Sequence, residues 1–285
     1  MSMDVIPSRA PAVRPAAVAG MFYPASAAEL AAEVRACLSR AAPVEAGGAP
    51  GFAGGVPAAL IVPHAGYVYS GAIAASAYAL LAPARERIRR VVMFGPAHRV
   101  AVRGLALPAA SAFATPLGTV RVDRDAASVA AALPQVCTSD AAHALEHSLE
   151  VQLPFLQTVL ADFSIVPFAV GHATADEVRE VIDALWDAPA TLIVVSSDLS
   201  HYHRYAEAVR IDRATADAVP ALSAGLDHEQ ACGATPINGL LLAAGRRGLA
   251  PRLLDLRNSG DTAGDRSRVV GYAAFAFDRT GAGNG

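Results

Sequence analysis

Several residues able to do chemistry stand directly after short apolar runs in this chain. His64 follows Ala58 to Val62 in PHAGYVYSG, and His98 follows Val91 to Phe94 in GPAH. His201 follows Thr191 to Ser196 in SSDLSHYH, with Asp198 just before it, and Cys232 opens CGATPINGLLLAAG. Neutral imidazoles with an acidic or thiolate partner are typical ligands for iron, zinc or copper. Imidazole also suits proton transfer near neutral pH. There is no H-E-x-x-H and no C-x-x-C, so metal ligands would have to come together from distant loops. Cys232 lies just ahead of a helix start, where the dipole and free N–H groups favour a thiolate.

The elements that must position these residues follow from the same runs. An apolar stretch, a proline or glycine, then a histidine in the turn reads as a buried strand with the side chain at its carboxyl end. In open α/β sheets that edge is where ligands bind. Between the strands lie helical signals. Ser26 and Glu29 form one capping box, and Thr174 and Glu177 form another that leads a helix to about Trp186. Further helices are expected over 123–133, from Tyr205 to Val219, and in a short piece reaching about Ala231. Ser148 can cap a helix that Pro154 tolerates early on. Thr235 as N-cap and Pro236 after it announce a helix that Gly248 ends. Further strands are expected at 104–107, 119–122, 164–170, 252–256 and 269–277. The alternation predicts an α/β fold: one domain over residues 13–278, a largely parallel sheet with helices on both faces. Residues 1–12 and 279–285 are expected as loose tails, and 41–56 as a Gly- and Pro-rich loop.

Composition excludes whole classes. Charged residues make up 17% of the 285 and hydrophobic ones 53%, which suits a large buried core. Every basic residue apart from histidine is arginine; without lysine there is no Schiff-base or PLP anchor and no Walker-type P-loop. A net charge of -3 gives no basic footprint for nucleic acid. Three widely spaced cysteines are no disulfide framework, and a reducing, cytoplasmic setting is expected. The amino-terminal stretch lacks the apolar core of a signal peptide. The nearly uncharged stretch 46–84 is broken by Pro63, His64, Gly66 and Gly71, so it reads as a buried strand and helix, not a membrane span.

Ser196 or Ser197, Asp198 and His201 have the residue types of a hydrolase triad, but three members crowded into one turn cannot line up in series. Cys37 and Cys137 read as small buried hydrophobes, and His172, His203 and His228 as surface or packing residues. His147 and Tyr67 are weaker candidates for a pocket wall.

The segments RPAAVAGMFYP, PHAGYVYSG, GPAH, EHSLEVQLPFL, SSDLSHY, CGATPI and VVGYAAFAF, in that order from Arg14 to Phe277, resemble the Memo family. Its bacterial and archaeal members are often called AmmeMemoRadiSam system protein B. The family is similar in fold to the catalytic subunits of class III extradiol dioxygenases, which are non-haem iron enzymes. The resemblance implies a metal site of His64, His98 and Cys232, with the cysteine where the dioxygenases carry a carboxylate. It places His201 as an acid/base histidine with Asp198 beside it. It implies a divalent metal, Fe(II) first with copper or zinc as alternatives, and a functional link to AMMECR-like and radical SAM proteins. Three functions stay open: an O2-using oxidoreductase, a non-catalytic metal- or peptide-binding protein of phosphotyrosine type with Tyr67 and Tyr69 lining its pocket, and a zinc hydrolase.

Overall fold

The computed structural model describes residues 12–41, 55–186 and 190–279. The expected tail at 1–12 and loop at 41–56 fall almost wholly outside those residues, as does the tail at 279–285. The strands are β1 Val13–Arg14, β2 Ala59–Val62, β3 Arg90–Pro96, β4 Leu105–Leu107, β5 Ala112–Thr115, β6 Gly118–Val122, β7 Val136–Thr138, β8 Ser164–Val170, β9 Thr191–Ser196, β10 His201–His203, β11 Leu249–Asn258 and β12 Val269–Arg279. The α-helices are α1 Ala27–Arg40, α2 Tyr67–Tyr78, α3 Arg124–Ala131, α4 Asp140–Ala144, α5 Leu153–Val159, α6 Ala175–Trp186, α7 Tyr205–Ala218, α8 Ala234–Arg246 and α9 Ser259–Thr262.

The β-branched runs of β2, β3, β8 and β9 are buried along almost their whole length. Both sheet faces are covered there, so such strands need no apolar–polar alternation. They form the parallel centre of one sheet ordered β1-β5-β6-β8-β3-β9-β2-β12-β10, with β11 on β12, β4 on β8 and β7 on β4. One face packs against α3, α6, α7 and α8, the other against α1, α2 and α5. The helices thus lie on both faces as expected.

The sheet is mixed rather than largely parallel. β12 runs antiparallel to β2, β10 and β11, β5 is antiparallel to β6, and β4 to β8. The reason is connection length: residues 259–268 between β11 and β12 are too few for a parallel crossover, which takes a dozen or more. Local expectations also shift. Residues 219–231 form turns, with no second helix. The N-cap of α8 is Gly233, which puts Thr235 inside the first turn. Ser148 caps nothing; its hydroxyl donates to Pro96 O instead. Cys137 is exposed and Cys37 buried. Of the two expected capping boxes the second is complete, with Thr174 exchanging bonds with Glu177, whereas Ser26 Oγ accepts from Glu29 N–H with no return bond from the Glu29 carboxylate among the described residues. No helix among the described residues is long and apolar enough to cross a membrane.

Two glycines let loops close over the carboxyl edge of the sheet. A Cβ on Gly95 would stand 2.7 Å from Ser148 Oγ, so only glycine admits the 145–149 loop against β3. A Cβ on Gly271 would stand 2.1 Å from Asp212 Oδ2. Its absence lets buried Asp212 reach Ser200 N–H at 3.0 Å and hold the turn that carries Asp198 and His201.

Candidate metal centre

His64 leaves the end of β2 into a buried polar network that determines its tautomer. Ser196 Oγ donates its one proton to Ser148 O, at 2.6 Å. It must therefore accept from its other neighbours, Gln152 Nε2 at 2.8 Å and His64 Nδ1 at 3.0 Å. The proton of His64 sits on Nδ1, and Nε2 presents a lone pair. Burial, with His147 and His98 close by, drives the His64 pKa well down and keeps the ring neutral.

His98 arrives from the end of β3 and is oriented by Glu146. The carboxylate accepts from His98 Nδ1 at 2.9 Å and from the backbone N–H groups of His98, His147 and Ser148 at 2.6, 3.0 and 2.9 Å. Burial alone would raise Glu146; the bonds from His98 and the backbone outweigh it and hold the carboxyl at about 2. A carboxylate on Nδ1 leaves Nε2 free, which is how metal-ligating histidines are commonly oriented. His147 follows on the same loop, its ring 4.7 Å from that of Phe22. Its Nδ1 is 3.3 Å from Glu146 Oε1 yet forms no hydrogen bond and is buried.

The three rings lie 4.8 to 5.3 Å apart. One ligand atom from each of His64, His98 and His147 falls within 4.8 Å of the others, a group that could hold a divalent metal. The donors fit one: a freed Nε2 on His64, a carboxylate-oriented His98 and an unpartnered buried nitrogen on His147. Cys232 is outside that group but touches it, with Sγ 3.3 Å from His64 Nε2. A sulfur and a nitrogen on one zinc-like ion stand about 3.3–3.6 Å apart, so the thiol is also within reach. The expected thiolate is not the state of the metal-free thiol. Burial and the nearby Asp198 push it up to about 12, outweighing the N–H groups of Asp198 and Gly233.

Asp198 is buried and its carboxyl rises to about 7, because burial overcomes the N–H groups of His64 and Ala65. Its Oδ1 accepts from His64 N–H at 2.7 Å, so it braces the His64 turn. His201 is half-buried; burial lowers its pKa, and His98 adds to this. Neither Ser196 nor Ser197 bonds to His201; Ser197 Oγ instead donates to Asp198 O and accepts from Gly233 N–H. Tyr67 turns into the core, its hydroxyl on Val151 O at 2.6 Å and its ring against Phe155. Tyr69 is exposed. Glu146 and Gln152 were not among the sequence candidates, and Ser196 was weighed only as a triad nucleophile, not as the partner of His64 Nδ1. The adjacency of Glu146 and His147 in EHSLE was the one available signal.

These buried imidazoles make the metal-free protein sensitive to acid. His143 and His147, lowered to about 4 by burial, titrate near 6.5 when unfolded. Between those values the unfolded chain binds more protons, so stability falls as pH drops through the window. His64 and His201 act in the same sense. Asp198 and Asp212 act oppositely, since the folded state keeps protons that the unfolded chain has lost. Glu33, raised by burial, joins the two aspartates; the four histidines outnumber these three carboxyls, and the urea midpoint should fall between pH 6.5 and 4.5. A flat midpoint would show that the rings protonate freely in the folded state.

Comparison with known proteins places this arrangement. The model of the Memo-like protein family matches residues 14–276. The chain belongs to the Memo-like family. A MEMO1 family protein of Methanopyrus kandleri is 35% identical over 285 residues, covering 93% of this chain and 99% of that one. Another from Aeropyrum pernix is 37% identical, covering 92% and 98%, and one from Thermotoga petrophila is 34% identical, covering 91% and 97%. Among solved structures, uncharacterized protein JW3007 from Escherichia coli K12 superposes with a TM-score of 0.50 at 16% identity, over 76% of this chain and 98% of that one. That likeness concerns the fold alone. The Memo-like match spans every segment that builds the centre, from Arg14 to Tyr272.

Proposed function

We propose that this Memo-like chain is a metal-dependent oxidoreductase of the dioxygenase type, with Fe(II) as its resident ion and a small organic molecule as substrate. The observation that carries the reading is the tautomer of His64, whose Nε2 lone pair faces His98, His147 and Cys232 in a neutral, buried setting. His64 and His98 would hold the ion, with His147 or Cys232 as third donor. Such a site supplies an Fe(II) ion with open positions for O2 and substrate. The chain's own contributions surround it. Glu146 orients His98, Asp198 braces the His64 turn, and half-buried His201 is placed to accept a substrate proton as general base.

A second reading, metal and peptide binding without turnover, draws on Val68, Tyr69 and Tyr202. These are exposed beside the His64 and His201 turns and offer an apolar rim. One experiment separates the two: metal analysis of protein purified without oxygen, then oxygen uptake with a panel of catechols. Iron retention with uptake that disappears in His201→Ala, while the metal stays, supports the oxidoreductase. Retained metal with no uptake from any catechol supports the binding protein, and failure to retain metal overturns both.

A further inference from the structure

Tyr272 lies where β12 runs past the centre. The pairing Phe277 with Ala59, Ala276 with Leu60 and Phe275 with Ile61, continued beyond the end of β2, brings Tyr272 level with His64. One residue earlier, Gly271 O accepts from Leu199 N–H at 2.8 Å, and Gly271 N–H donates to Ser200 O at 2.9 Å. Tyr272 therefore sits between the His64 turn and the Asp198–His201 turn. Side chains alternate along the strand. Ala273, Phe275 and Phe277 enter the layer of α6 and α8, whereas Tyr272 enters the layer of α2.

Its hydroxyl differs from those of the other core tyrosines. Buried tyrosines pair their O–H as a rule, and this protein keeps the rule elsewhere. Tyr23 donates to Glu150, Tyr67 to Val151 O and Tyr78 to Gln152. Tyr272 is 2% exposed and its hydroxyl makes no hydrogen bond among the described residues; it is not one of the fully enclosed unpaired atoms, so it opens onto the small accessible surface the residue keeps. The ionisable groups acting on it are Asp198, Tyr69 at the start of α2 and Tyr202 in β10. Burial and Asp198 keep the phenol protonated, so it is available as a donor.

We propose that Tyr272 is a ligand-binding residue whose hydroxyl donates a hydrogen bond to an oxygen of the molecule bound at the His64–His98–His147 centre, which marks that molecule as an oxyanion donor such as a phenolate, enolate or carboxylate. The inference rests on the reading of the site as a metal centre for a small organic molecule. It adds the acceptor chemistry that the molecule must bring.

The test is Tyr272→Phe in the full chain loaded with Co(II), with nitrocatechol as an optical probe. The variant should bind cobalt as the wild type does. Its urea midpoint should stay level or rise, since the lost hydroxyl has no protein partner. Its dissociation constant for nitrocatechol should increase about tenfold, the size expected for a bond to an ionised oxygen. A constant within twofold of wild type overturns the role of Tyr272 alone. So does a lowered urea midpoint, which would reveal a structural partner, and so does loaded wild type that leaves the probe spectrum unchanged. Wild type that takes up no cobalt overturns the metal centre itself, and this inference with it.

Discussion

The His64→Ala variant should lose metal uptake under conditions that load the wild type fully, with affinity down by more than about a hundredfold. His64 presents its Nε2 to the other donors, with Cys232 Sγ 3.3 Å away and the rings of His98 and His147 at 5.2 and 5.3 Å. The fold should survive, because Ser196 Oγ keeps its bonds to Ser148 O and Gln152 Nε2 after the imidazole is gone. Loss of metal would then report the centre and not unfolding, and a urea midpoint measured alongside makes that distinction. Competitive loading against a chelator, without oxygen, is the measurement. Parallel His147→Ala and Cys232→Ala variants identify the third donor by which of them loses more. A His64→Ala variant that loads like wild type would remove the centre from this part of the molecule.

Why this site could be read only in part from the chain follows from how each residue is delivered. His64, His98 and the Asp198–His201 turn each follow a largely apolar, buried strand of four to seven residues bounded by breakers or polar residues, a local pattern that survives any uncertainty about topology. Three such strands in a parallel arrangement share one carboxyl edge. His147 and Glu146 come from a loop after a helix of only five residues. Their position depends on Arg14, far away in sequence, which donates to the backbone carbonyls of His143 and Glu146. No spacing rule encodes that contact. Cys232 shows the opposite failure. Its place before α8 was legible, but its protonation was not, since burial outweighs the helix start. Among the strands, β1, β5 and β7 have two to four residues, too short for periodicity to register. The antiparallel pair β11–β12 was hidden because each strand alone looks like any other.

Replacing Glu150 by alanine should cost about 3–5 kcal/mol of folding stability, the range for removing one partner of a buried ion pair. Glu150 has no solvent exposure. Its carboxylate accepts from Arg14 Nη1, from Ala17 and Val18 N–H and from the Tyr23 hydroxyl. Alanine leaves four donors without that acceptor, and one belongs to a guanidinium that is itself only 5% exposed. Glutamine is the informative companion. It preserves shape and one acceptor oxygen, but its NH2 faces either Arg14 and Ala17 N–H or Val18 N–H, donor against donor, with only the Tyr23 hydroxyl able to turn and accept. It should therefore remain clearly destabilised. The effect should reach the centre as well, because the same Arg14 holds the loop of Glu146 and His147, and residues 17–23 carry the Phe22 ring that packs on His147. Urea unfolding gives the first quantity and competitive metal loading the second. An Arg14→Met, Glu150→Leu pair should be less harmful than the sum of the single changes, since it removes both charges together. A Glu150→Ala variant within about 1 kcal/mol of wild type, a loss ordinary for an exposed pair, would show that water reaches this carboxylate and that the clamp does not hold the loop.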